Sequence, residues 1–119
     1  MTQEEKELLI KDLCARLPYG VKMSVNDNVE VLQGINIVDN IVEYSSFLAS
    51  EIEHCKPYLF PLSSMTEEQE KEYNNLNCYE LGCFPHSEEA LDYLTKNHFD
   101  YRYLIEKGLA IDATGLGIY

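Results

Sequence analysis

Cys78, Cys83 and His86 fall within nine residues of one another, and His54-Cys55 could add two further ligands. Thiolate and imidazole together are zinc chemistry. The spacing argues against it. Structural zinc sites join two close ligand pairs, whereas Cys78 and Cys83 have no second pair to join. Unbridged cysteine is also a common small hydrophobe in protein cores. Cys78, Cys83 and His86 are the nearest the chain comes to a metal site, and no metal or other cofactor is assigned.

Nucleophilic catalysis needs a thiol and a base in contact. Four Cys and three His allow many pairings, but no thiol-protease signature surrounds any of them. Paired carboxylates are no more selective, because the chain has 21 Asp and Glu. Working carboxylates need buried surroundings that split their pKa values, and most acids here stand at helix starts and on polar faces. Gly115-Leu116-Gly117 is a fragment of a phosphate-binding pattern without the strand and helix that complete it. No catalytic residue is assigned.

The elements that would position any site fall into three zones. Thr2 and Glu5 form a capping box, and Leu8, Leu9, Leu13 and Leu17 recur at helical spacing. Pro18 disfavours helical geometry at Leu17, so this helix spans about 3–16. A β-rich zone follows over about 20–60. Val21, Met23 and Val25 alternate with polar residues, Asn26-Asp27-Asn28 makes a turn, and Val29 and Val31 restart the alternation. Gly34 marks a bulge or bend, Ile35 and Ile37 continue one buried face, and Asp39-Asn40 turns into a strand over 41–44. A last strand over 52–60 would hold Pro57 at an edge or bulge.

The third zone is helical over about 66–108. Thr66 and Gln69 form a second capping box ahead of a polar surface helix. Ser87 caps a helix that turns Ala90, Leu91 and Leu94 inward, and Asp100 caps a last short helix closed by Gly108. Residues 110–119 form a tail. The expected fold is one α+β domain: an N-terminal helix, a small antiparallel meander with the option of an SH3-like barrel, and C-terminal helices.

Between Lys56 and Leu62 the chain sets apolar residues between two prolines. This segment reads first as a corner from sheet to helix, and second as an apolar patch for a partner. Tyr58 and Phe60 within it, with Tyr101 and Tyr103 further on, are the candidate partner-binding residues. Nine tyrosines and no tryptophan make Tyr the main amphipathic contact material.

Nine Lys and Arg against 21 Asp and Glu give a formal net charge of -12. Nucleic-acid binding relies on cations that release counterions, so direct DNA or RNA binding is excluded, and anionic membranes are disfavoured on the same ground. The N-terminal residues are acidic where a secretory signal would be basic and then apolar. A cytoplasmic chain with reduced thiols is expected.

Three blocks carry a resemblance. They are Leu17-Pro18-Tyr19-Gly20-Val21-Lys22, then Lys56-Pro57-Tyr58-Leu59 through Ser63-Ser64-Met65-Thr66-Glu67-Glu68, then His98-Phe99-Asp100-Tyr101-Arg102 with Leu104 to Ala110. In them the chain resembles a family of short bacterial proteins associated with prophages and mobile elements. That family carries no assigned activity, so the resemblance transfers no functional residue. It implies a bacterial or phage protein of the cytoplasm whose middle block belongs to one compact unit.

The absence of catalytic motifs, the abundant Tyr and the acidic charge favour a non-enzymatic protein-interaction module. One alternative is an acidic inhibitor that mimics nucleic acid on a DNA-processing protein. The other is a small hydrolase with an unrecognised site. The oligomeric state is open.

Overall fold

The computed structural model describes residues 1–76 and 88–119. Helix α1 spans Gln3–Arg16. Both halves of its capping box are made: the Glu5 N–H donates to Thr2 Oγ1 at 3.1 Å, and the Thr2 N–H donates to Glu5 Oε1 at 2.9 Å. Pro18 carries the chain into a 3-10 turn over Leu17–Tyr19, which Gly20 ends with a left-handed φ of 66°.

Strands β1 (Lys22–Val25) and β2 (Asn28–Asn36) form a hairpin closed by Asn26-Asp27. Both turn residues have positive φ, 49° and 65°, the geometry that follows the twist of a two-residue hairpin. Strands β3 (Ile41–Tyr44) and β4 (Ala49–Glu51) extend the antiparallel meander. Strand β5 (Cys55–Pro61) returns to the other side of β1. Two short strands, β6 (Phe99–Asp100) and β7 (Ile111–Asp112), then pair in parallel with the far edge of β5. The result is an α+β fold on a mixed sheet ordered β4-β3-β2-β1-β5-β6, with β7 also beside β5. The sheet stays open and does not curl into a barrel.

The segment from Lys56 to Leu62 is thus mostly strand β5. Pro57 sits opposite Met23 of β1, and the parallel partners begin only at Tyr58. Pro57 therefore lies where β5 has a neighbour on one side alone, and its missing donor interrupts no second ladder.

Helix α2 (Glu67–Leu76) starts at the Thr66–Gln69 capping box and buries no residue. Helix α3 (Glu88–Lys96) buries Ala90 and Leu94; its expected cap, Ser87, lies outside the described residues. The core gathers Leu9 and Leu13 of α1 against Val21, Met23, Leu32, Val42, Leu59, Leu104 and Leu109.

Two expectations are corrected. Val29 and Ile37 are exposed, although the alternation assigned them to the core. Register explains this. Met23 faces Glu30 and Val25 faces Asn28, so β2 begins with its even-numbered residues on the core side. A bulge between Leu32 and Gly34 then shifts the parity, bringing Ile35 opposite Val42. Ile37 falls in the turn beyond the strand.

The helix expected after Asp100 does not form either. Asp100 accepts the N–H groups of Leu104 at 3.0 Å and Ile105 at 2.9 Å, while Tyr103 takes a left-handed φ of 59° that no helix continues through. The closure at its end is nevertheless made. The Leu109 N–H donates to Leu104 O at 2.9 Å and the Gly108 N–H to Ile105 O at 3.1 Å, with Gly108 at φ 73°.

The register yields a paired test. Leu32 is 3% exposed and Ile37 is 62% exposed. Leu32→Ala should cost about 2–5 kcal/mol in chemical denaturation, whereas Ile37→Ala should cost under about 0.5 kcal/mol. Equal costs would contradict this register.

Candidate functional site

The helical face that carries Leu9 and Leu13 also carries Asp12 and Arg16, one turn apart. Both charged side chains are 0% exposed. Arg16 Nε donates to Asp12 Oδ2 at 2.7 Å, and Arg102 Nη1 donates to Asp12 Oδ1 at 2.8 Å. One carboxylate thus holds two guanidinium groups. Arg16 Nη2 then donates to the backbone oxygen of Phe99 in β6 at 2.6 Å.

Tyr101 lies against both cations. The Arg16 and Arg102 guanidinium carbons stand 5.4 and 4.7 Å from its ring centre. Its hydroxyl accepts from Arg102 Nη1 at 3.0 Å and is 3.1 Å from Thr95 Oγ1. The cluster pins α1 to the segment after α3 at one end of the sheet.

At the same end a cleft of about 470 Å³ opens between β5, the end of α3 and the 114–119 segment. Phe60, Phe99, His98 and Tyr119 supply its flat surfaces, while Lys96, Gln69 and Thr114 supply polar groups. The His98 ring stacks on Tyr119 with centroids 3.9 Å apart and planes 13° from parallel. Tyr119 is fixed in turn: its hydroxyl accepts the Lys22 N–H and donates to Tyr58 O, each at 2.8 Å. Lys22 Nζ donates to Ile118 O at 2.6 Å.

His98 has a left-handed φ of 64°. Its Nδ1 and Arg16 Nη1 are the two buried side-chain nitrogens without a hydrogen-bond partner among the described residues. Burial, with Arg16 and Lys22 adding positive charge, pushes the His98 pKa down to about 4, so the imidazole is neutral at pH 7.

The sequence-derived candidates scatter over this geometry. Phe60 lines the cleft and Tyr101 belongs to the charged cluster. Tyr58 is half-buried and offers its backbone oxygen to Tyr119, and Tyr103 is exposed beside a separate groove with Leu62 and Ile105. Cys78, Cys83 and His86 lie outside the described residues. His54 and Cys55 face opposite ways: His54 is exposed near Glu51, and Cys55 is buried with a thiol pushed up by desolvation. No group of three metal-ligating side chains occurs among the described residues.

A second surface feature stands at the opposite end of the strand order. Strand β4 closes the sheet, and among the described residues no strand pairs with its outer edge. The turn that leads into it runs through Ser45 and Ser46 to Phe47 and Leu48. The Phe47 N–H donates to Tyr44 O at 3.0 Å and the Tyr44 N–H to Leu48 O at 2.9 Å. This is the three-residue hairpin loop whose last position requires left-handed backbone and favours Gly. Phe47 occupies that position with φ 68° and is 99% exposed.

No helix among the described residues is long and apolar enough to cross a membrane. A comparison of the chain with protein-family models, curated proteins and solved structures finds no match.

Two measurements probe the buried cluster. Asp12→Asn leaves Arg16 buried without a counter-charge and should cost about 3–5 kcal/mol of stability in denaturant; a cost below about 1 kcal/mol would mean that the two arginines do not depend on it. The second is a pH series. The folded pKa of His98 lies below its unfolded value of 6.5, so the unfolded state binds more protons as pH falls. Stability from this group is complete above pH 6.5 and falls away toward pH 4. His98→Asn, which tolerates the left-handed backbone, should flatten that part of the pH profile.

Proposed function

We propose that the chain is a non-enzymatic protein-interaction module of the bacterial cytoplasm that docks another protein at the β4 edge. The observation that carries this reading is Phe47. A bulky aromatic in left-handed backbone costs about 1–2 kcal/mol over glycine, and here the ring offsets none of that cost by packing, since it is 99% exposed. Leu48 beside it is also exposed, and β4 offers the unpaired backbone that an added strand would use. A local choice that opposes folding fits a residue kept for a contact outside the chain.

The nucleic-acid-mimic reading has one observation in its favour. Helices α2 and α3 pack together, joined by the Tyr93 hydroxyl donating to Glu72 Oε2 at 2.9 Å. Their exposed acids are Glu67, Glu68, Glu70, Glu72, Glu88, Glu89 and Asp92. At about 100° per residue the four on α2 fan over roughly 200° of the helix, which is wider than one phosphate-like stripe. The hydrolase reading has less support. Asp12 is held by two arginines, Asp100 by two backbone N–H groups, and the Cys55 thiol is buried.

Phe47→Gly separates the readings. The variant should keep or gain stability, by up to about 1 kcal/mol, because glycine suits the turn. Used as bait in host extract beside the native chain, it should lose a protein that the native chain retains. The association rate of that protein with the native chain should change little with salt. Equal retention by both baits would sink the β4 edge as the docking site, and a slope as steep as that of a DNA complex would move the function to the mimic.

A further inference from the structure

The cleft beside His98 is separate from the β4 edge and shares neither Phe47 nor Leu48 with it. Its electrostatics run against those of the chain as a whole. Although the chain has 21 Asp and Glu, no acidic side chain is found among the described residues that line the cleft. Lys96 reaches it from the last turn of α3, and Lys22 Nζ stands 5.6 Å from the centre of the Tyr119 ring. Lys96 is thus the one charged side chain among the described residues that line the cleft.

Shape narrows the ligand further. A cleft of about 470 Å³ lies in the size range of small-molecule sites, and its lining is divided between aromatic rings and polar groups. Phe60 stands 5.7 Å from Tyr119 and 6.2 Å from Phe99, centroid to centroid, with tilted planes. These rings suit a flat apolar body, which aromatic faces and edges receive at offset or tilted angles. The neutral His98 ring, stacked on Tyr119, extends the same surface.

The polar groups point to one negative charge. A single lysine lines the cleft, and one ammonium matches the one charge of a carboxylate in a charge-assisted hydrogen bond. Gln69 has its side-chain oxygen engaged by the Thr66 N–H at 2.9 Å, so the amide nitrogen is its donor end. Thr114 adds a hydroxyl that can donate or accept. The Tyr119 hydroxyl is spent on Lys22 and Tyr58, so this ring serves as a wall and not as a hydrogen-bonding group.

We propose that this cleft binds a small aromatic carboxylic acid, with the ring against Phe60 and Tyr119 and the carboxylate on Lys96. The site is preformed. Tyr119 is held on both sides of the β1–β5 ladder, and His98 is set by the hydrogen bond from the Phe60 N–H to its backbone oxygen at 2.8 Å. No lid or second chain is required.

The test is a titration of the full ¹⁵N-labelled chain with 4-hydroxyphenylacetate, followed by amide resonances. Saturable shifts should appear at residues 96–99 and 114–115. The uncharged 4-hydroxyphenylacetamide and the ringless acetate should each bind at least about tenfold more weakly, the loss expected when a charge-assisted hydrogen bond or an aromatic contact is removed. Lys96→Gln, at an exposed position, should weaken the acid to the same degree and leave the rest of the spectrum unchanged. Three results would overturn the proposal: no saturable shift at millimolar acid, equal affinity for acid and amide, or unaltered binding by Lys96→Gln. Tighter binding of phenyl phosphate than of the carboxylate would overturn the single-charge assignment.

Discussion

Asp12 lies out of water between two guanidinium groups, and much of the fold is organised around it. A buried carboxylate in a low-dielectric interior is costly unless its charge and lone pairs are met. Arg16 meets it from the same helix and Arg102 from a segment ninety residues away. Arg16 then binds Phe99 O, which fixes the level of β6 against α1. The parallel pairing of β6 with β5 lies at the same level, and beside it His98 lines the cleft. The ion pairs give direction to a corner where apolar contacts alone would permit sliding.

How far the sequence revealed this arrangement depends on how local each signal is. The α1 cap, the Asn26-Asp27 turn, the Gly34 bulge and the α2 cap are each encoded within four residues, and all were readable. The faces of β2 were not. Alternation gives a period of two but no phase, and the phase comes from Met23 facing Glu30 across the hairpin. The last helix was misread because the side chain of Asp100 satisfies two N–H groups in a turn as readily as at a helix start.

The candidate site was less legible still. Asp12 and Arg16 share the spacing of Leu9 and Leu13, so a face containing positions 9, 12, 13 and 16 held the clue, but nothing local separates a buried charged pair from a solvated one. The cleft draws on residues from 60 to 119, and no linear pattern brings Phe60, Lys96 and Tyr119 together. Phe47 carried no signal because two serines and an aromatic do not resemble a turn that favours Gly.

The hydrogen bonds that close the β5 end link partners far apart in the chain: Arg16 with Phe99, Lys22 with Tyr119, Tyr58 with Tyr119. Such contacts give high contact order, and the entropy of closing the intervening loops must be met before they form. On the ribosome the β1–β4 meander can assemble from neighbouring segments as it emerges. Helix α1 can form as early, but its buried arginine finds its backbone acceptor only after residue 99 has been made. Until then Arg16 and Asp12 lack the partners that close this corner, an interval in which a chaperone has something to hold.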